Sequence, residues 1–431
     1  MRAAHIILLS LGGLTPVLLF FDGPLAGVVA GLFGAVALAM VPGAIRPGEA
    51  DHLVIAMRWI AALAALPVLW LLIQLLPLPF GALSRSIWQS AGEALGISLW
   101  PHATIDPGLT IIALCNYLFV VSVGFAAAAV SIDRLRAEML FMVLGAAAGA
   151  VSLMFISGRL GLLAIFGIIQ TAPWPEAHAI CVFGTIVFAN ILIFEVERQL
   201  TGRGQQNTKG RHYWPLVASI AGFGICGLAV FMDESSHGIF AVACGLAAVA
   251  IIYFVRRIGL GWPAALAMAG VATLCAVLVV ATKAQPLTAD FPARYAAHAA
   301  PNLIAASNRI IGGVGIGGSG AGTFKAVYRF YQQTEVTGRP EAPTFAAKLA
   351  IELGGPMLWL LVAETIALAL ICAGGAFNRG RDFSYPMAGA GVTIAALILA
   401  FCDNSLNNAA VEILIALTLG VALVQRISRT R

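Results

Sequence analysis

Three kinds of side chain recur outside the apolar runs of this sequence, and their types and spacing suggest one chemistry. Carboxylates and a histidine gather in two polar clusters, Asp233-Glu234-Ser235-Ser236-His237 and Asp403-Asn404-Ser405-Leu406-Asn407-Asn408, the second followed by Glu412. A further acid, Glu341, closes a long polar segment. Such groups act as general bases when they stand within hydrogen-bond reach of a hydroxyl, which makes His237, Glu341 and Asp403 the catalytic candidates. In Phe324-Lys325-Ala326-Val327-Tyr328-Arg329-Phe330-Tyr331 the cations Lys325 and Arg329 are four apart, on one face of a helix. Tyr328 and Tyr331 are three apart, so cations and aromatics can share a rim, and Arg294, Tyr295 and His298 form a similar group upstream. Guanidinium groups grip phosphate oxygens in a bidentate way, and aromatic faces stack on sugar rings. Between these groups lies a glycine-dense run, 311–324, containing Gly320 and Gly322. Glycine lets a backbone turn at positive φ and lets a ligand approach its N–H groups; a plain turn is the other reading. The run is no P-loop, because no Gly-Lys-Ser/Thr follows, and no His/Glu spacing matches a metal site. The pattern fits an anionic, lipid-linked glycan, and a solvated helix touching anionic lipid headgroups is the other reading; no metal and no cofactor is expected.

The elements that must hold these residues are set by composition. Of 431 residues 60% are apolar and 10% are charged, against roughly 45–50% and about 25% in soluble domains. The chain reads as an all-α, polytopic integral membrane protein. Long unbroken apolar runs exclude the alternating pattern of a barrel. The net charge of +5 is dispersed over many short loops, which excludes a nucleic-acid partner. Twelve spanning helices are expected, at 5–21, 24–41, 53–77, 109–130, 139–157, 178–196, 214–232, 237–255, 263–282, 345–375, 386–402 and 409–426. The first is read as a span and not a removed signal peptide. The chain thus divides into helices 1–9 over 1–282, a basic, aromatic and Gly-rich loop over 283–344, and helices 10–12 over 345–431. Fifteen Lys and Arg fall on one side of this arrangement, while Arg85 and Arg159 fall in the short loops of the other. The positive-inside rule then puts both termini in the cytoplasm and the 283–344 segment outside.

Several details refine this picture. Asp106 is suited to cap the helix that starts at Pro107. Gly354-Gly355-Pro356 should break the tenth span near its outer end, so that 345–353 leads in from the interface. Glu364 then stands inside the membrane, where an acid is a functional candidate by default or pairs with a neighbouring Ser, Thr or Asn. Seven cysteines all lie in apolar runs without a C-x-x-C pair, and they read as packing residues.

Taken together, these residues resemble the O-antigen ligase and O-antigen/exopolysaccharide polymerase family. The resemblance covers helix order along most of the chain and is clearest at Thr104-Ile105-Asp106 and from Arg294 to Asp403. Arg294, about twenty residues ahead of a glycine run ending Gly320-Ala321-Gly322-Thr323-Phe324, is similar to the family's central loop. Ile351-Glu352-Leu353-Gly354 resembles its Glu-x-Gly helix entry, and Asp403 the acid before its last helix. The resemblance implies glycosyl transfer on the periplasmic face of the bacterial inner membrane. The donor would be a glycan on a polyprenyl pyrophosphate, and the acceptor a lipid A–core or glycan hydroxyl. Arg294, Lys325, Arg329, Tyr328, Gly320 and Gly322 would bind substrate, and other polysaccharide-assembly proteins would be partners. The chain departs from the family in three places. Pro343-Thr344 stands where His-Asn is usual, nine residues before Glu352; Ser236-His237-Gly238 replaces Ser-Arg-Gly; and Pro175-Glu176-Ala177-His178 replaces an Asn-rich entry. His237, His178 or Glu341 would then stand in for the missing histidine, or the chain is a divergent or inactive member. Ligase and polymerase remain equal readings. A lipid-linked glycan flippase and a non-catalytic assembly partner are the alternatives.

Overall fold

The computed structural model of this chain describes residues 1–21, 24–77, 86–162, 174–200, 213–233, 236–259, 291–296, 299–331, 341–380 and 382–427. Helix makes up 82% of it, no strand forms among the described residues, and eight helices are long and apolar enough to cross a membrane. This is a polytopic, all-helical membrane fold. The eight are Pro47–Leu75, Pro107–Val130, Arg134–Arg159, Trp174–Leu200, Trp214–Met232, Ser236–Ile258, Gly355–Asn378 and Ser384–Cys402. Three more expected spans are shorter. The first breaks at Leu14 into Arg2–Gly13 and Thr15–Leu18, the second is Pro24–Ala39, and the last is Ala409–Gln425. The expected span at 263–282 lies outside the described residues.

Local chemistry fixes where these helices start. Asp106 Oδ1 accepts from Leu109 N at 3.1 Å, Asp133 Oδ1 from Leu135 N at 3.0 Å, and Asn408 Oδ1 from Ala410 N at 2.9 Å. Each side chain satisfies one of the N–H groups that a helix start leaves without a partner. Proline sits in the first turn at Pro47, Pro107, Pro215 and Pro356, where its missing N–H costs nothing.

Three helices form the centre of the bundle: Ala409–Gln425, most of whose residues are buried, and two of the long spans. Within their apolar windows 72% of Trp174–Leu200 and of Ser384–Cys402 is buried, against 17% of Gly355–Asn378 and 22% of Pro47–Leu75 and Pro107–Val130, which form the periphery. Small residues let the central helices approach their neighbours. Gly389 faces Ala422 and Cys372, and Gly391 faces Ile186 and Val249. Gly420 lies against the Gly124 carbonyl, leaving no room for a side chain. Close backbone approach is how helices associate where lipid removes the hydrophobic drive. The described cysteines are all free, and four of the six are buried.

One end of the bundle is closed by arginines. Arg256 donates to the carbonyls of Ala376, Arg379 and Gly380 at the end of Gly355–Asn378, and its guanidinium lies 3.9 Å above the Phe383 ring. Asp382, held at φ +58°, pairs with Arg134 at 3.0 Å and Arg379 at 3.5 Å. Burial pushes the Arg379 guanidinium below its ordinary value, and the Asp382 carboxylate works against that shift. Gln425 and Arg426 tie the last helix here through Ser131 O and Ala56 O. The opposite end carries Asp403 and the candidate site.

Candidate functional site

The segment expected as a loop over 283–344 is folded wherever it is described. A 3₁₀ turn, Phe291–Ala293, precedes two helices, Pro301–Gly313 and Phe324–Tyr331, and the glycine run joins them. Ala306, Ile310, Phe324, Val327, Tyr328 and Ile351 form a small apolar core of their own. The expected helix at 345–375 is likewise two, Phe345–Leu353 and Gly355–Asn378, broken at Gly354 with φ +89°.

The glycine run is a packed turn, the other reading that the sequence left open. Four of its N–H groups are spent on other segments of the protein. Ser319 N donates to Ile351 O at 2.8 Å, Gly320 N to Glu352 O at 2.9 Å, Ala321 N to Gln74 Oε1 at 3.3 Å and Phe324 N to Glu352 Oε1 at 3.2 Å. Gly318, Gly320 and Gly322 have φ of +74°, +107° and +80°, and a side chain on Gly320 would collide with Thr104 Oγ1. Glycine is there for positive φ and for close approach of the turn to two other segments.

Gln74 is the hub of this turn. It is 1% exposed, donates to Gly317 O at 2.8 Å and Glu352 O at 3.0 Å, and accepts from Ala321 N. Thr104 and Thr110 hydroxyls meet at 2.7 Å, and Ile105 N donates to Ser319 O at 2.9 Å. Trp70 Nε1 closes the far side on Leu353 O at 3.0 Å. Sequence reasoning missed Gln74 and Trp70. The signal was an amide inside Leu71-Leu72-Ile73-Gln74-Leu75-Leu76, where an apolar end of a span needs none.

The cations fare differently from the aromatics around them. Lys325 and Arg329 are exposed on one face of Phe324–Tyr331, and Arg309 is exposed on the adjoining helix. Tyr328 is 2% exposed and stacks on Phe324 at 5.9 Å between centroids, so it belongs to the core and not to a rim with the cations. Phe330 and Tyr331 reach the surface instead. From 291 to 331 the chain has four cations, Arg294, Arg309, Lys325 and Arg329, and no acid.

Arg294 and Asp403 lie on adjoining turns. Thr344, which with Pro343 stands where His-Asn is usual in the family it resembles, is buried. Its hydroxyl donates to Pro292 O at 2.6 Å and accepts from Ala347 N at 2.9 Å, capping Phe345–Leu353. The next residue, Phe345, donates its N–H to Asp403 O at 2.8 Å. Phe291 packs on Phe401, Trp359 and Tyr295 with centroids 5.6–5.9 Å apart. The Asp403 carboxylate accepts from the Ser405 N–H and hydroxyl, and Lys348 Nζ reaches Asn407 Oδ1 on the same turn. Glu341 is exposed, three residues ahead of Thr344. His298 lies outside the described residues.

The Asp233 cluster closes the neighbouring helix ends. Asp233 pairs with Arg159 Nη2 at 2.6 Å and with His178 Nδ1 at 3.4 Å; His178 is buried and Asp233 half-buried. His178 Nε2 lies against Gly238, where a side chain would collide with it. His237 is half-buried, with Nδ1 3.3 Å from Ser236 Oγ. The Trp174–Leu200 helix that carries His178 also touches the 3₁₀ turn Ser405–Asn407, so both clusters share one end of the bundle. Among the described residues no group of three His, Cys, Asp or Glu is arranged to hold a metal. Compared with models of known protein families the chain matches none, and no curated protein matches it.

Proposed function

We propose that this chain is a membrane glycosyltransferase of surface-polysaccharide assembly, of the O-antigen ligase or polymerase type. One observation carries the reading. The segment 291–331, whose charged residues Arg294, Arg309, Lys325 and Arg329 are all cations, is seated on the membrane bundle beside the Asp403 turn. Exposed cations at the end of an apolar bundle suit a lipid-borne pyrophosphate, whose chain stays in the bilayer while its charge leaves it. A carboxylate alongside suits the acceptor. In the reaction, an acceptor hydroxyl on lipid A–core or on a glycan attacks the anomeric carbon of the donor. The bond from that carbon to pyrophosphate breaks, a glycosidic bond forms, and the hydroxyl proton passes to a base.

Arg294, Lys325 and Arg329 stabilise charge on the leaving pyrophosphate. Asp403 is the base we favour over Glu341 and His237, because its turn adjoins that of Arg294. Tyr328, Gly320 and Gly322 shape this segment from inside. The same reading has twelve spans, both termini in the cytoplasm, and the Asp403 end in the periplasm of a bacterial inner membrane.

Deleting the gene and examining surface and lipid-linked glycans tests this. Polymer stranded on the polyprenyl carrier identifies a ligase, and single repeats reaching the acceptor identify a polymerase. Wild type should restore the glycan and Arg294→Ala should not. An unchanged glycan profile in the deletion strain overturns the proposal.

A further inference from the structure

Glu364 lies in the apolar interior of a helix that faces outward. It is nine residues from the Gly355 end of Gly355–Asn378, or about 14 Å at 1.5 Å per residue. Tyr117 is ten residues, about 15 Å, from the Pro107 end of its helix, and Ala64 is eleven, about 16 Å, from the Leu75 end of its own. The glycine turn ties these three helix ends together through Gln74, Thr110 and Gly354. The three residues therefore share one layer of the membrane. Direct contacts agree with this, since Tyr117 Oη donates to Ala64 O at 3.1 Å, and Tyr117 is within electrostatic reach of Glu364.

Among the described residues no donor or cation is placed to solvate a negative charge in that layer. Glu364 Oε1 is buried without a hydrogen-bond partner among the described residues. The Thr365 hydroxyl is spent on Leu361 O at 2.8 Å, and the Tyr117 hydroxyl proton on Ala64 O. On the neighbouring helices, the nearest charge on Pro47–Leu75 is Arg58, six residues beyond Ala64 and toward the other end. Ser384–Cys402 carries no charged residue, and Ser236–Ile258 has His237 in its first turn and Arg256 and Arg257 in its last. Phe345–Leu353 carries Lys348 and Glu352 beyond the Gly355 end, and Ala409–Gln425 carries Glu412 in its first turn. Tyr117 is the titratable group within electrostatic reach of Glu364, and its phenol oxygen has a free lone pair. A carboxyl in hydrocarbon with no donor and no cation holds its proton instead of ionising.

We propose that Glu364 and Tyr117 form a proton-binding site inside the membrane, with Glu364 as the proton carrier and Tyr117 as its partner. The site opens sideways to lipid, because only 17% of the apolar window of its helix is buried. It does not depend on the glycosyl-transfer reading.

The test is labelling of the full-length wild-type protein in nanodiscs with dicyclohexylcarbodiimide, a lipid-soluble reagent. The carboxyl O–H adds across one C=N bond: oxygen bonds to the central carbon and the proton goes to nitrogen. Migration of the acyl group to nitrogen then gives a stable adduct with no leaving group. Fragment masses assign the site in the wild type, so the result does not depend on whether a variant folds. We expect the adduct at Glu364, formed at a rate that falls about tenfold per pH unit once the carboxyl ionises. A water-soluble carbodiimide should leave Glu364 unlabelled. Tyr117→Phe should keep the adduct and move its pH profile to lower pH. Absence of an adduct at Glu364, equal labelling by the water-soluble reagent, or a rate independent of pH overturns the site. An unmoved profile in Tyr117→Phe removes Tyr117 from it.

Discussion

Replacing Gln74 by leucine should loosen the glycine turn while leaving the bundle intact. The side chain makes three hydrogen bonds: to Gly317 O, to Glu352 O and from Ala321 N. Glu352 O keeps a second donor, Gly320 N at 2.9 Å, so it remains satisfied. Gly317 O and Ala321 N lose the side chain that meets them in a buried place. At about 1–3 kcal/mol for each orphaned group the cost is roughly 2–6 kcal/mol. Leucine is of similar size, so no cavity term adds to it. The loss should be local, because these bonds join the turn to the bundle and not one spanning helix to another. Hydrogen exchange reads such local opening directly. A loss of even about 2 kcal/mol raises amide exchange roughly 30-fold. We predict that increase for the amides of 318–324 in Gln74→Leu, with those of Ser384–Cys402 unchanged. Unchanged exchange at 318–324, or an equal rise across the central helices, would refute the assignment of Gln74 as the hub of the turn.

Other perturbations follow from the same geometry. Gly320→Ala should abolish a monodisperse preparation, since it adds a clash with Thr104 to the roughly 1–2 kcal/mol of a left-handed residue. Gly312→Ala, which meets nothing, should elute and melt like wild type. Arg256→Lys replaces a fork that reaches three carbonyls and covers Phe383 by a single ammonium, and should lower the melting temperature in detergent, at a cost of about 1–3 kcal/mol. A melt indistinguishable from wild type would mean that this helix end is held by other contacts.

How far the sequence could be read depended on the range of the interaction concerned. Class and helix starts were legible because they are local. The apolar runs have bilayer length, and Asp106-Pro107 carries its cap within four residues. The break at Gly354 was visible for the same reason. The packing of the glycine run was not legible because its partners are remote: Ala321 meets Gln74 across 247 residues. No local pattern announces that a backbone N–H is already taken.

Tyr328 is a different case. Phe324 and Tyr328 form one i,i+4 stripe and Lys325 and Arg329 another, rotated by about 100° around the helix. If the cations face outward, the first stripe faces in, and Val327 beside it supports that. The information was present, but tyrosine is amphipathic and suits either side. Thr344 was read as unable to replace a base, and its buried capping role agrees with that. The link it makes between the Arg294 turn and the Asp403 turn was not legible, since it joins three segments far apart in the chain.

The most direct test of the proposed function is binding of a polyprenyl pyrophosphate to the full-length protein in nanodiscs, beside the corresponding polyprenyl alcohol. Lys325 and Arg329 are exposed, so Lys325→Ala with Arg329→Ala should fold as wild type does. Charge-assisted hydrogen bonds contribute about 1.5–3 kcal/mol each. The account therefore predicts that wild type prefers the pyrophosphate by about tenfold or more and that the double variant loses this preference. Equal binding of the two lipids by wild type, or an undiminished preference in the double variant, would contradict it.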